Sequence, residues 1–138
     1  MLRLADERSA HLYPAESRHG ASVSALLALD VRFIVARLDG LLVGCGGYAM
    51  DKEGAAELKR IFVLETARGQ GVARRILDAL ENSARAEGVS VMQLETGVKS
   101  TEALSLYHRF GYCERGPFGS YRHDPLSVFM EKTLTPVA

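Results

Sequence analysis

Apolar residues recur at every fourth position from Val72 to Ala84, through Ile76 and Leu80, with Ala73 and Leu77 beside them. That spacing lays one apolar stripe along a helix over residues 71–87, which Gly88 stops. Glu81 precedes Arg85 by four residues, the order that favours an ion pair along a helix. A second stripe, Ala103, Leu106, Tyr107 and Phe110 in STEALSLYHRF, predicts another helix, stopped at Gly111. Strand character lies between and around these two. Residues 32–38 are rich in β-branched and aromatic types, Asp39-Gly40 is a hairpin signal, and LLVGCGGYAM continues as the returning strand. After a turn over residues 51–54, AAELKRIFV forms a third strand, on which simple alternation puts Glu57, Lys59, Ile61 and Val63 on one face. SVMQLET and SVFMEKTL are two more strands, separated by the Gly- and Pro-rich ERGPFGSYRHDP. Towards the start, residues 2–12 fit a loose helix or a short strand. YPAESRHG is loop, and residues 21–29 make a short helix capped from Ser22.

Strands, helix, strand, helix, strand predict an α/β (α+β) domain with a mixed, mostly antiparallel sheet. The strand at 55–63, the helix at 71–87 and the strand at 90–95 form a crossover unit, so those two strands run parallel. A chain of 138 residues fits a single domain with one core. Its 17 basic and 17 acidic side chains cancel, which points to neither a nucleic-acid footprint nor a membrane-surface patch. Apolar runs are far shorter than a bilayer span and no signal segment opens the chain, so it reads as cytoplasmic. Two cysteines, Cys45 and Cys113, make neither a disulfide framework nor a metal knuckle, and Cys45 sits among small apolar residues as a buried thiol.

Two glycine-rich stretches compete as phosphate cradles. GCGGYA at 44–49 fits a dinucleotide fingerprint, but a strand continues through it where that fingerprint needs a helix start. Its glycines are read as letting elements pack closely. ARGQGVA has the required order of strand, turn and helix. Gly69 and Gly71 turn the backbone and leave amides around Gln70 to Ala73 unpaired at a positive helix end, with Arg68 and Arg74 as added cations. Arginines crowded at a helix start work against the dipole unless a polyanion is expected there.

These residues resemble a known family, the GCN5-related N-acetyltransferases (GNAT). Arg68-Gly69-Gln70-Gly71-Val72-Ala73 fits its R/Q-x-x-G-x-G/A motif, and SxxALSLYHRFGY is similar to its N-x-x-A-x-x-L-Y-x-x-x-G-F segment. Ser100 stands where many members have Asn, which weakens or replaces any hydrogen bond that Asn makes. YPAES, AELKRIFV, LETG and PFGSYRHDPLSVFMEK look like a subgroup of small bacterial members, some of them indole-acetate-related. The resemblance spans roughly residues 13–134. Only twelve residues precede YPAES, so the family's first strand is short or missing, and a homodimer contact would cover the open edge.

The resemblance implies helices on both sheet faces, a parallel pair at an acetyl-CoA cleft, and acetyl transfer to a small-molecule or amino-acid-like amine. It seats acetyl-CoA on Ile61, Phe62, Val63, Arg68, Gly69, Gln70, Gly71, Val72, Ala73, Arg74, Ser100 and Tyr107. Arg75 is solvated or near the 3′-phosphate. Glu57 matches a base position, with a structural pair to Lys59 or Arg60 as the competing reading and Glu95 as a second carboxylate. Tyr107 matches the acid position, although it also lies on its helix's apolar stripe. Tyr13, Glu16, Tyr121 and His123 are acceptor-side candidates alongside Glu95. No metal is expected. A non-catalytic acyl-CoA sensor is the alternative function.

Overall fold

The computed structural model describes residues 31–51 and 53–135. Six strands form one sheet: β1 (Val31–Leu38), β2 (Leu41–Met50), β3 (Ala55–Val63), β4 (Val91–Gly97), β5 (Cys113–Arg115) and β6 (Ser127–Thr133), in the order β1-β2-β3-β4-β6-β5. Among the described residues only β3 and β4 run parallel, joined by α1 (Val72–Ala86); the other neighbours are antiparallel. The crossover read from the sequence is therefore present. Strand β5 adds an element that the Gly- and Pro-rich stretch around it concealed. The helix or short strand expected over residues 2–12 and the short helix expected over 21–29 lie outside the described residues.

The hairpin between β1 and β2 turns through Asp39 and Gly40, whose φ values of 49° and 81° are those of a primed turn matching strand twist. Helix α1 buries Val72, Ile76, Leu77, Leu80 and Ala84 against β2 and β3. Each large aliphatic side chain removed from water contributes about 1.5–3 kcal/mol before entropy is counted. The close approach of that helix explains the glycines in GCGGYA. A Cβ on Gly46 would lie 2.5 Å from Ile61 Cδ1 and 2.9 Å from Ile76 Cγ2.

Both helices end in the same hydrogen-bonded pattern. After α1, Gly88 N donates to Arg85 O and Val89 N to Ala84 O; after α2 (Thr101–Arg109), Gly111 N donates to His108 O and Tyr112 N to Tyr107 O. These paired bonds define a Schellman stop and need a left-handed residue, which Gly88 and Gly111 supply. Tyr112, delivered by the second stop, donates to Glu81 Oε2 of α1 at 2.8 Å. The end of α2 therefore lies on the α1 side of the sheet. Glu81 is 2 % exposed and also receives Lys132 Nζ of β6 at 2.8 Å and Arg85 at 3.4 Å, so the buried carboxylate joins a helix, a strand and the start of β5.

Candidate active site

The site begins with a break in strand pairing. Strands β3 and β4 pair only at Ala55–Val91, Ala56–Met92 and Glu57–Gln93, whereas β2–β3 continues to Val63 and β4–β6 continues to Gly97. Beyond Glu57 and Gln93 the sheet parts into a V, and β3 carries backbone groups on its β4 side with no ladder to join. Glu57 stands at the vertex.

A bulge decides what faces the V. Between Cys45–Phe62 and Gly47–Lys59 the register slips, so Arg60 and Ile61 oppose Gly46 alone, and Arg60 has φ 60°. The slip corrects the alternation expected from sequence. Glu57 and Lys59 do share a face, the one turned away from α1, but past the bulge Ile61 and Val63 turn towards α1. Ile61 there meets the Gly46 backbone, and Val63 pairs beside Gly44, which α1 also approaches. The cost of one residue in a left-handed conformation, on the order of 1–2 kcal/mol, buys this reversal of face within nine residues.

Three segments supply the groups around Glu57. From β3 itself, Lys59 Nζ lies 3.2 Å from Glu57 Oε1. From the irregular chain after β5, the Tyr121 hydroxyl donates to Glu57 Oε2. From β4 and β6, Glu95 joins the same face, its Oε2 accepting a 2.7 Å bond from Ser127 Oγ. Tyr121 is placed by aromatic packing: its ring meets Phe118 at 5.1 Å and Phe129 at 5.4 Å, and those two meet each other at 5.8 Å, all edge-on. Burial above all, then the Glu57 bond and the nearby Glu57 and Glu95 charges, hold the Tyr121 phenol well above the ordinary tyrosine value. His123, two residues on, is exposed and takes part in none of these contacts. Phe118, Phe129 and Ser127 are neighbours that the sequence reading missed; the alternation of SVFMEK was the one signal that could have placed Ser127 and Phe129 on a common face.

A second part of the site lies at the start of α1. Gly71 is the N-cap, with φ 76°, and no side chain caps the helix; its first turn holds no acidic residue. Arg75 N donates to Gly71 O at 3.1 Å, the first bond of the helical ladder, so the amides of Val72, Ala73 and Arg74 precede it without an intrahelical acceptor. Gly69, with φ 81°, and exposed Gln70 make the turn that leads into this cap. Arg74 and Arg75 are exposed, and Arg68 reaches Glu102 of α2 at 4.0 Å, a surface pair contributing about 0–1 kcal/mol. The donor set suits an anion better than any side chain present.

Helix α2 provides the remaining candidates. Ser100 is its N-cap and makes no side-chain capping bond. Tyr107 is 6 % exposed, packs edge-on to Tyr112 at 5.7 Å, and burial holds its phenol well above the ordinary value. Tyr13 and Glu16 lie outside the described residues. Cys45 is buried, its thiol pushed up by burial, and its Sγ donates to Arg60 O at 3.3 Å at the bulge. Among the described residues no three His, Cys, Asp or Glu side chains group as metal ligands, and no helix is long and apolar enough to cross a membrane.

Residues 3–112 match the model of the Acetyltransferase (GNAT) family. The chain is 52 % identical over 124 residues to an IAA acetyltransferase of Azospirillum brasilense, covering 89 % of this chain and 81 % of that protein. Among solved structures it is similar to a Klebsiella pneumoniae protein assigned as an acyl-CoA N-acyltransferase, with a TM-score of 0.82, 34 % identity, and 97 % and 87 % of the two chains covered. The fold is also shared with a PaiA N-acetyltransferase of Thermoplasma acidophilum crystallised with coenzyme A, at TM-score 0.73 and 20 % identity over 94 % of this chain and 85 % of that one.

Proposed function

The chain belongs to the acetyltransferase (GNAT) family, and on that premise we propose that it moves an acetyl group from acetyl-CoA to the amine of a small or amino-acid-like molecule by direct transfer. The observation that carries this reading is the parting of β3 from β4 beyond Glu57, set beside an uncapped, acid-free helix start. The amides of Val72, Ala73 and Arg74, with the turn Gly69-Gln70-Gly71, suit the donor's pyrophosphate, an interaction contributing up to ~2 kcal/mol from the helix dipole. Arg68 would exchange Glu102 for that phosphate, with Arg74 assisting. Backbone groups on the open side of β3, over Ile61, Phe62 and Val63, suit the pantetheine arm, and Ser100 and Tyr107 flank it from α2. When bound, the donor supplies an acetyl thioester.

The chain's own groups then divide the proton work. An amine with an ordinary pKa of about 10.4 costs roughly 4 kcal/mol to deprotonate at neutral pH, so a base at the acceptor matters more than an acid at the leaving thiol, whose pKa is about 8.5. Glu57 at the vertex is the proposed base, Glu95 the carboxylate beside it, and Tyr107, held protonated by burial, the proposed donor to the thiolate. Tyr13, Glu16, Tyr121 and His123 belong to the acceptor side. We further place the protein in a bacterial cytoplasm, as one domain over residues 1–138 and as a homodimer. A second reading, a non-catalytic acyl-CoA sensor, is favoured by one observation: both Glu57 oxygens are already engaged, by Lys59 and Tyr121.

An acceptor screen that follows release of the CoA thiol separates the two. The name of the 52 % identical relative puts IAA in that screen beside primary amines. Transfer requires acceptor-dependent CoA release, lowered about 100-fold or more in Glu57→Gln and Tyr107→Phe. A protein that binds acetyl-CoA by calorimetry but releases no CoA with any acceptor is the sensor. In either case Gly71→Glu, which sets a carboxylate at the helix start and strains a left-handed position, abolishes acetyl-CoA binding. Retained binding would remove α1 from the donor site.

A further inference from the structure

We propose that Tyr121 is a positioning residue for Glu57: its phenol, delivered by the Phe118–Phe129 aromatic cluster, fixes the direction of the Glu57 carboxyl at the vertex where β3 and β4 part. The inference rests on the reading of Glu57 as the proton acceptor, and it names the residue that sets that acceptor's orientation.

A glutamate on a strand has three rotatable bonds, and Glu57 is half-buried beside an opening. Left alone, it would sample several rotamers, few of them directed at one point in the cleft. Two contacts remove that freedom. Lys59 holds Oε1 along the strand, and Tyr121 holds Oε2 from across the face. Lysine is a flexible point charge and fixes direction poorly; a buried phenol on a rigid ring fixes it well. The chain bearing Tyr121 is irregular but is pinned at several places. Phe118 is 8 % exposed and Phe129 4 %, Arg115 stacks over the Phe118 ring at 5.5 Å, and Tyr121 N donates to Phe118 O at 3.1 Å. Beyond the tyrosine, the Asp124 side chain accepts Leu126 N at 2.8 Å and Asp124 O accepts Ser127 N at 2.9 Å, locking the segment onto β6.

The bond also has a definite polarity. Because the Tyr121 phenol is held protonated, it acts as donor throughout the working pH range, and Glu57 is the acceptor. Among the described residues, Lys59 from its own strand and Tyr121 from the segment after β5 hold Glu57 from two sides.

The test needs no acceptor. The Glu57 side chain, labelled with ¹³C and assigned by its disappearance in Glu57→Gln, has its rotamer populations measured from three-bond NMR couplings in wild type and in Tyr121→Phe. Phenylalanine keeps the ring and its packing, so the fold is retained, which the thermal midpoint checks. The expected result is one dominant rotamer in wild type and averaging over several in Tyr121→Phe. Coincident couplings would overturn the proposal. With an acceptor from the screen, Tyr121→Phe lowers kcat with little change in the KM for acetyl-CoA, and adds little to the effect of Glu57→Gln, because the two residues act through one group. Full additivity would also overturn it. If Glu57→Gln leaves transfer intact while the rotamer averaging in Tyr121→Phe is present, the base assignment fails and the positioning contact survives.

Discussion

Replacing Glu81 by glutamine tests the largest electrostatic commitment in the fold. Glu81 is 2 % exposed on the core face of α1, and its two oxygens accept Tyr112 at 2.8 Å, Lys132 at 2.8 Å and Arg85 at 3.4 Å. Glutamine keeps the length and can still accept from Tyr112. It leaves the Lys132 ammonium without a counter-charge, wedged above the Phe110 and Tyr112 rings at 4.8 and 5.7 Å. Breaking a buried pair by removing one partner typically costs 3–5 kcal/mol; with one hydrogen bond kept and Lys132 partly wet, about 2–4 kcal/mol is expected here. For a domain of this size that lowers the thermal midpoint by roughly 10 °C. The chain has no tryptophan, so urea unfolding is followed by circular dichroism, and the denaturant slope should not change. A second variant, Lys132→Met, closes a double-mutant cycle: the two losses should be strongly non-additive, because either removes the same interaction. A loss under 0.5 kcal/mol in Glu81→Gln, or additive losses in the cycle, would refute the argument that this carboxylate holds α1 to β6.

Two other outcomes follow from the geometry. Gly46→Ala places a methyl 2.5 Å from Ile61 Cδ1 and 2.9 Å from Ile76 Cγ2, so overpacking of about 1–3 kcal/mol should appear in urea unfolding. The alkaline limb of stability should also be steep. Burial first, with hydrogen bonds and nearby carboxylates adding to it for all but Tyr107, raises the phenols of Tyr48, Tyr107, Tyr112 and Tyr121. The folded chain keeps these protons where the unfolded chain, with phenols near 10, releases them. Stability is thus unaffected by them below about pH 10 and falls above it by about 1.4 kcal/mol per pH unit for each tyrosine. A midpoint of chemical unfolding that stays level from pH 9 to 11 would contradict this.

What the chain made legible was local. The helix read over residues 71–87 forms as Val72–Ala86, and the hairpin at Asp39-Gly40, the glycine stops and the parallel crossover all appear, because periodicity, turn chemistry and handedness are written in neighbouring residues. The glycine turn before α1 was legible for the same reason. The bulge at Arg60 was not, since nothing in AAELKRIFV differs from a plain strand until Gly46 stands opposite and Ile76 and Leu80 crowd it. Nor was the Tyr121–Glu57 bond: 64 residues separate its partners, and the segment carrying Tyr121 has no period from which its direction could be read. Lys132 shows the same limit: its ammonium reaches the Glu81 carboxylate 51 residues away.

The bulge divides β3 into two stretches that answer to different selections. On the proposed role of Glu57, changes at positions 57 and 59 should be read out in the rate of transfer; changes at 61 and 63 are read out in how well α1 is seated. Anyone altering the acceptor range under that proposal would therefore keep Glu57 and hold the second pair fixed. Deleting Arg60 would leave both pairs on their present faces, since removing the extra residue restores plain alternation from Lys59 to Ile61; flattening the bulge with every residue kept would instead turn Ile61 and Val63 to the side of Glu57.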